Sequence, residues 1–570
     1  MKIAYAQMKV LAGRPDVNTK KILKFIDEAR SQGADAIIFP QMAISGQMLG
    51  ETWWEDTFLD DCRRCGEEII AASKNILVIF GNIEIDNEEV EKFNSMFFAK
   101  NGKLIAEPVA KYWVDNDKIF YTPINRTSIA EVEICEKIYR IRAFLDIADI
   151  LEIDEYDSDF SIKSASDRFD IRNDYSYKTS FNFKQPIIQV GAVGVQNTGK
   201  TLYTFDGKSA VFNSRGEIVQ YAEPFEECLN FIEFKEIDKM PALEMPEVSE
   251  TEKTYRAIHY GVKEFLSQIG MSKIVIGVSG GIDSAVAAAL YVQVVGAENV
   301  YLVNMPSKFN SSTTKNLSEQ LAKNLGCKYL VVPIQESVDW TVKQLEERGI
   351  EVSSFVKENI QARDRSSRIL AAIAASIGGV FTCNANKAET TVGYATLYGD
   401  EAGFLSALAD LWKYQVYDLA RYMNEKIYGF EAIPQGIIDI VPSAELSTAQ
   451  NVDEGKGDPL KYPYHDYLFR AFVEKYFTPE DILKLYVAGE LEEKIGCAKG
   501  LVKKYFPTAK DFIDDLERWW RQFTGMGVAK RVQSPPVLAV TNYPYGARLE
   551  SQNGVHFTKK YLELKNKLLG

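Results

Sequence analysis

Histidine is the scarcest chemistry-bearing residue in this 570-residue chain, with only His259, His465 and His556. None lies in a motif described below, which argues against acid–base chemistry routed through imidazole. Cysteine is sparse and scattered: of seven residues only Cys62 and Cys65 form a CxxC. No second CxxC or nearby histidine completes a zinc set, and the odd count fits reduced thiols in a cytosolic protein better than a disulfide framework. Long apolar runs are missing as well. The longest weakly polar stretch, Ile369 to Phe381, contains a serine and two glycines and falls short of the ~20 residues a spanning helix needs. An excess of positive charge is also lacking. The net charge of −14 disfavours DNA or RNA on the general surface and leaves only a local patch for a nucleotide. The opening MKIAYAQMKVLAG reads as a short apolar strand, not a basic region followed by a signal core, so the expectation is a soluble cytoplasmic protein.

The length exceeds what one core organises and suits two domains. In the first 240 residues, β-rich runs at Lys2–Ala6, Ala36–Phe39 and Ile76–Phe80 alternate with a helical pattern over Thr19–Ser31, for which Asn18 is a candidate N-cap. The acidic, proline-containing EIDKMPALEMPEVSETE then reads as a linker, giving a first domain over 1–240, a linker over 241–252 and a second domain over 253–570. Beyond it the pattern predicts a helix over Tyr255–Gln268 and strands at Val300–Asn304, Tyr329–Pro333 and Val380–Thr382. Strands separated by helices indicate an α/β domain with a doubly wound parallel sheet. A charged, aromatic-rich stretch over 451–511 departs from that rhythm and predicts a helical insert. No internal repeat relates the halves.

The strongest local signal is IVIGVSGGIDSAVAAAL, residues 274–290. An apolar strand runs into Ser279, Gly280, Gly281, Ile282, Asp283 and Ser284, and an Ala-rich helix follows. Adjacent glycines let backbone N–H groups turn inward, hydroxyls add donors, and the helix N-terminus adds partial positive charge, which together suit phosphate. The spacing is not that of a Walker P-loop. It resembles the pyrophosphate loop of the N-type ATP pyrophosphatases, which cleave ATP to AMP and pyrophosphate.

Five further segments follow in order: Met305-Pro306-Ser307 with Ser311-Ser312; Glu358-Asn359-Ile360-Gln361-Ala362-Arg363; Asn386-Lys387-Ala388-Glu389; Val392 through Asp400; and Pro442-Ser443-Ala444-Glu445-Leu446. Together they resemble the NAD synthetase family, strongly over 253–450 and weakly to the C-terminus, where Lys530 and Arg531 fall near the family's basic closing segment. Ala388 stands where the family usually carries serine, and Cys383-Asn384-Ala385 replaces a Thr-Thr-Gly run. Neither change removes a charged group.

The resemblance implies a two-step ligase. The carboxylate of nicotinate adenine dinucleotide attacks the ATP α-phosphate, and ammonia then displaces AMP to give NAD. Such chemistry needs positioning and charge neutralisation, not a protein nucleophile. On the resemblance, Ser279, Gly280, Gly281 and Ser284 hold the departing pyrophosphate, and Asp283 and Glu389 bind Mg²⁺. Lys413 and Ser443 contact phosphate, while Asn359, Arg363, Glu389 and Asp400 orient the dinucleotide.

The first domain contains Phe39-Pro40-Gln41-Met42-Ala43-Ile44-Ser45-Gly46, and later Phe205 to Val211 with Gly216-Glu217. These are similar to segments of the nitrilase superfamily, in particular of the glutaminase domain fused to many NAD synthetases, and imply its α-β-β-α sandwich. The catalytic Glu, Lys and Cys of that family fall on Gln41, Lys111 and, in Ile141-Arg142-Ala143-Phe144-Leu145-Asp146, on Phe144. Only Lys111 is retained. Ile134-Cys135-Glu136 is a competing match for the nucleophile, but Lys137 replaces its Asp. The implied reading is an ammonia-dependent NAD synthetase with a degenerate glutaminase-like domain kept for structure, for homo-oligomeric assembly or for regulation. A ligase fed by an external glutaminase, a non-catalytic assembly subunit and another ATP pyrophosphatase are the alternatives.

Overall fold

A computed structural model describes residues 1–86, 91–111, 120–121, 128–145, 158–165, 167–172, 184–447, 450, 452–547 and 554–570. The chain divides into two compact units, Met1–Thr198 with Leu202–Val248, and Ser249–Gly570 with the hairpin tip Gly199–Thr201.

The first unit is built on two mixed sheets. Strands β1 (Lys2–Gln7), β2 (Ala36–Ile38), β3 (Leu77–Asp86), β4 (Glu91–Lys100), β5 (Lys103–Leu104) and β6 (Val109–Ala110) form one sheet. β1, β2 and β3 run parallel, and β4 turns back against β3. The second sheet takes β7 (Ile129–Ile134), β8 (Lys137–Phe144), β9 (Phe160–Ala165), β10 (Ile187–Gly191), then β13 (Ala210–Phe212) and β14 (Ile218–Tyr221), after the strands β11 (Val193–Thr198) and β12 (Thr201–Asp206). The last strand, β15 (Cys228–Glu233), returns antiparallel to β1. Because side chains alternate along a strand, Ile3 and Tyr5 of β1 face Ile141, Ile162 and Ile188 of the other sheet in one core. Ala4 and Ala6 face outward to helices α1 (Pro15–Ser31) and α2 (Asp56–Ala72) through Ile22, Ile26 and Ile69.

Helix α1 starts before the expected Thr19. Pro15 at its first position lacks only an N–H that would have no helical acceptor. Asn18 therefore lies inside the helix and is no cap: its amide ties the chain together by bonding both polar groups of Leu11 and the carbonyl of Ile44.

The second unit opens on α3 (Glu250–Ile269), earlier than the expected Tyr255, because Ser249 caps the amide of Glu252 and Gly270 closes the helix at φ 67°. Its sheet, in the order β18 (Lys328–Val331), β17 (Val300–Asn304), β16 (Ile274–Gly277), β19 (Val380–Phe381), is entirely parallel. The chain winds outward from β16 to β18 and then returns to the other side of β16, so the order reverses between β16 and β19. Ligands in such sheets bind outside the carboxyl ends of the strands at that reversal. Helix α4 (Ile282–Val295) leaves β16 and is apolar on nearly every face, as its burial requires. Helices α5 (Ser312–Leu325), α6 (Gln335–Glu346), α7 (Ser354–Arg363), α8 (Ala371–Ile377), α9 (Lys387–Val392) and α10 (Lys413–Tyr422) complete the wound part. The expected insert is helical, including Tyr462–Glu474 and Pro479–Ala488, and the helices continue through Ala509–Thr524. Phe469, Phe472, Trp519 and Phe523 lie there in an aromatic core that also takes Ala388, Val392 and Trp412.

Candidate active site

The loop after β16 needs glycine at one position above all. Gly280 has φ 88°, and a Cβ there would sit 2.5 Å from the carbonyl oxygen of Thr314. The loop hydroxyls are used internally: Ser284 Oγ donates to the Gly281 carbonyl, and Ser279 Oγ accepts from the Gly281 amide. The Ser279 hydroxyl hydrogen and the first-turn amides of α4 are among the donors this leaves for an anion.

Asp283, in the first turn of α4, meets the start of α9 across the strand-order reversal. Asn386 caps α9 by accepting from the Glu389 amide, and its side-chain nitrogen donates to Asp283 Oδ1 at 3.0 Å. Lys413, first residue of α10, places its ammonium between the two carboxylates, bonded to Asp283 and 3.5 Å from Glu389 Oε1. Tyr462 donates to the same Glu389 oxygen at 3.0 Å. Burial raises the Glu389 carboxyl to about 7, with Lys413 pulling the other way and Asp283 and Asp458 adding repulsion. Burial alone would lower the Lys413 ammonium, but Asp283 and Glu389 outweigh it and hold it above its ordinary value.

Asp283, Glu389, Lys413 and Asp458 line a cavity of about 270 Å³ together with the Ser279–Ser284 loop, Asp400 and Ser443. Asp400 Oδ1 accepts from the Thr396 amide at 2.7 Å, and Ser443 Oγ donates to the Gln450 carbonyl at 2.7 Å. Asn359 and Arg363 are not in its wall. The phase of α7 buries Gln361 and Ala362 and turns the other two away, so Asn359 bonds back to the Phe355 carbonyl and Arg363 to the Leu397 carbonyl. The cavity instead takes Arg365, held by the Met305 carbonyl and Asn310. Burial lowers its guanidinium to about 10 against the pull of Asp400, Asp364 and Glu445. Arg365, Asn386, Asp458 and Tyr462 were missed; a reading of the first two could have started from the ordered motifs, two residues beyond Arg363 and three before Glu389.

In the first unit two of the three positions matched to the nitrilase catalytic residues, Gln41 and Lys111, meet at Asn94. Its side chain donates to Gln41 Oε1 at 3.0 Å and its carbonyl accepts the Lys111 amide, while Gln41 Nε2 donates to the Leu145 carbonyl at 3.3 Å. The close pass of Gln41 over β3 requires Gly81, where a Cβ would fall 2.3 Å from Gln41 Cα. Phe144, 1% exposed, packs with Ile187, Ala210 and Phe212. Asp146, the last residue of that match, lies outside the described residues. Cys135 is at the opposite end of β8, roughly 25 Å of strand away. It occupies a two-residue hairpin turn with Glu136, at φ 52° and 61°. Its thiol is raised by a hydrogen bond to Asp35 and by burial. All seven cysteines are free, and no group of three metal-ligating side chains occurs among the described residues.

Residues 254–498 match the family model described as NAD synthase. The chain is also 27% identical over 519 residues to the glutamine-dependent NAD(+) synthetase of Acinetobacter baylyi, across 87% of this chain and 92% of that protein. Its identity to the enzyme of the same name from Aquifex aeolicus is 28% over 526 residues, across 85% and 91%. The chain is thus similar to NAD synthetases over most of its length. Solved structures of glutamine-dependent NAD(+) synthetases agree in fold. That from Cytophaga hutchinsonii superposes with a TM-score of 0.78 at 16% identity, covering 100% of this chain and 99% of that one. That from Acinetobacter baumannii, in complex with ADP, gives 0.70 at 22% identity, covering 98% and 99%. These relatives are named as glutamine-dependent, and the expectation of an ammonia-dependent enzyme finds no support among them. No helix among the described residues is long and apolar enough to cross a membrane.

Proposed function

We propose that the chain is an NAD synthetase that joins ammonia, taken directly, to nicotinate adenine dinucleotide at the expense of ATP, releasing AMP and pyrophosphate. The Asp283–Lys413–Glu389 cluster beside the Ser279–Ser284 loop carries the ligase reading. Amides of the loop and α4 receive the pyrophosphate, and Lys413 neutralises charge that develops as it departs. Two carboxylates next to a phosphate site suit Mg²⁺, which binds through one or two carboxylates plus phosphate oxygens. Asp283 and Glu389 would hold it, and when bound it would offset phosphate charge. On this reading residues 1–240 are the nitrilase-like domain, residues 253–570 are the ligase, and the first serves assembly in place of chemistry.

Gln41 and Phe144 support direct use of ammonia, even though the relatives are named for glutamine. An amide cannot act as base, and a buried phenyl ring at the nucleophile position offers no thiolate. The test is NAD formation by the purified protein from the dinucleotide acid, ATP and Mg²⁺, with ammonium chloride or glutamine as donor. Turnover with ammonium alone is expected. Equal turnover with glutamine would overturn the nitrogen-source reading, and failure with both donors would overturn the ligase itself.

A further inference from the structure

A second cavity, of about 200 Å³, lies against the nucleotide cavity, and Ala402 lines both. The wall between them is the turn closed by the Ala402 amide donating to the Gly399 carbonyl. Gly403 packs that turn against the end of β19, so closely that a Cβ would sit 2.4 Å from the Cys383 nitrogen. Tyr398, Glu401, Gln533 and Ser534 supply the polar groups of the smaller cavity.

Glu401 is 4% exposed, and neither of its carboxylate oxygens has a hydrogen-bond partner among the described residues. A buried carboxylate in that condition is costly and calls for a donor. The neighbouring cations are bonded elsewhere. Lys530 Nζ donates to the Gly393 and Ala395 carbonyls, Arg531 to the Thr391 and Phe523 carbonyls, and Lys200 to the Val532 and Ser534 carbonyls. Asp400 and Glu389 add negative potential from the nucleotide side, opposed by the charges of Lys530 and Arg531. One carboxylate without a cluster of further ligating side chains suits a monovalent guest, not a divalent metal.

From this geometry we infer that the smaller cavity binds the nitrogen substrate as an ammonium ion, with Glu401 as its carboxylate partner. The inference rests on the ammonia-using reading above. Ammonium can direct N–H groups at both orphan oxygens, and the shared turn leaves it next to the cavity where the acyl-adenylate would form. The step balances: ammonium gives one proton to Glu401, and the ammonia lone pair forms the C–N bond. The acyl–oxygen bond breaks with its electrons leaving on AMP, and a second proton passes from nitrogen to solvent. Burial, with repulsion from Asp400, raises the Glu401 carboxyl of the empty site to about 8 against the pull of Lys530 and Arg531; a bound ammonium favours the carboxylate, which then accepts its proton.

The experiment compares wild type with Glu401→Gln by steady-state kinetics, with ammonium chloride varied in the presence or absence of potassium chloride. The expected result is an ammonium KM raised tenfold or more in the variant, with KM for ATP and for the dinucleotide within twofold. Pyrophosphate release without a nitrogen donor should be unchanged, which also shows the variant to be folded. Glu401→Asp should recover part of the ammonium KM. An unchanged ammonium KM in Glu401→Gln overturns the inference while leaving the ligase reading intact. An effect of potassium that the variant abolishes, with ammonium KM unmoved, assigns the cavity to potassium and overturns it equally. Wild-type protein inert toward ammonium would overturn both readings.

Discussion

Lys387 Nζ donates to Asp410 Oδ1 at 2.6 Å with both side chains sealed from solvent, 0% and 1% exposed. Asp410 also accepts from the amides of Val540 and Thr541 at 2.8 Å each. The pair therefore joins the residue that opens α9, two before Glu389, to the residue three before Lys413. It sets the spacing of the two elements that present Glu389 and Lys413 to the cavity. Removing one partner leaves the other buried without its counter-charge. Lys387→Met is expected to cost about 3–5 kcal/mol of stability, read by chemical denaturation. A loss under 1 kcal/mol would show that Asp410 is satisfied by the Val540 and Thr541 amides and the Thr541 hydroxyl.

Asp283→Ala should lower pyrophosphate release by at least about a hundredfold, a loss of ~2.7 kcal/mol in transition-state stabilisation. The helix is retained, since alanine is the best helix former and Lys413 still has Glu389. Circular dichroism should be unchanged. Near wild-type pyrophosphate release would mean that the cluster is structural.

Cys135→Ser should leave ammonium-supported NAD formation unaltered, and glutamine should be inert with either protein. The residue sits in an exposed hairpin turn with its thiol raised, the opposite of a nucleophile's environment. Glutamine turnover that disappears in the variant would relocate the nucleophile to this turn. Phe144→Cys, by contrast, removes most of a buried ring and should cost about 2–4 kcal/mol, with no gain of glutaminase activity while Gln41 remains.

The Glu401 carboxyl also sets a pH dependence of stability. Its folded value of about 8 lies above its ordinary 4.5, so the folded state holds a proton that the unfolded chain releases. Stability from this group is therefore full below 4.5 and falls as pH rises toward 8. In ammonium-free sodium buffer, Glu401→Gln should be about 1–3 kcal/mol more stable than wild type at pH 8.5, with little difference at pH 4.5. Equal stability at both pH values would show the carboxylate to be satisfied as an anion.

What could be read along the chain was whatever depends on neighbours in sequence. The Ser279–Ser284 loop is such a case, because its strand, glycines and following helix lie within one continuous segment. The proposed replacements at Gln41 and Phe144 rest on the same kind of signal, each lying inside a contiguous motif match. Tertiary structure decided the rest. Asp283, Glu389 and Lys413 lie far apart in sequence and meet because β19 pairs with the open side of β16. Asn359 and Arg363 belong to a matched motif, yet the phase of α7 turns them from the cavity, a phase set by which face packs on the sheet. The orphan carboxylate of Glu401 has no signature in the chain at all. Its burial comes from the turn at 399–402 and from Gln533 and Ser534, more than 130 residues on, and desolvation by distant segments is a property that no local pattern encodes.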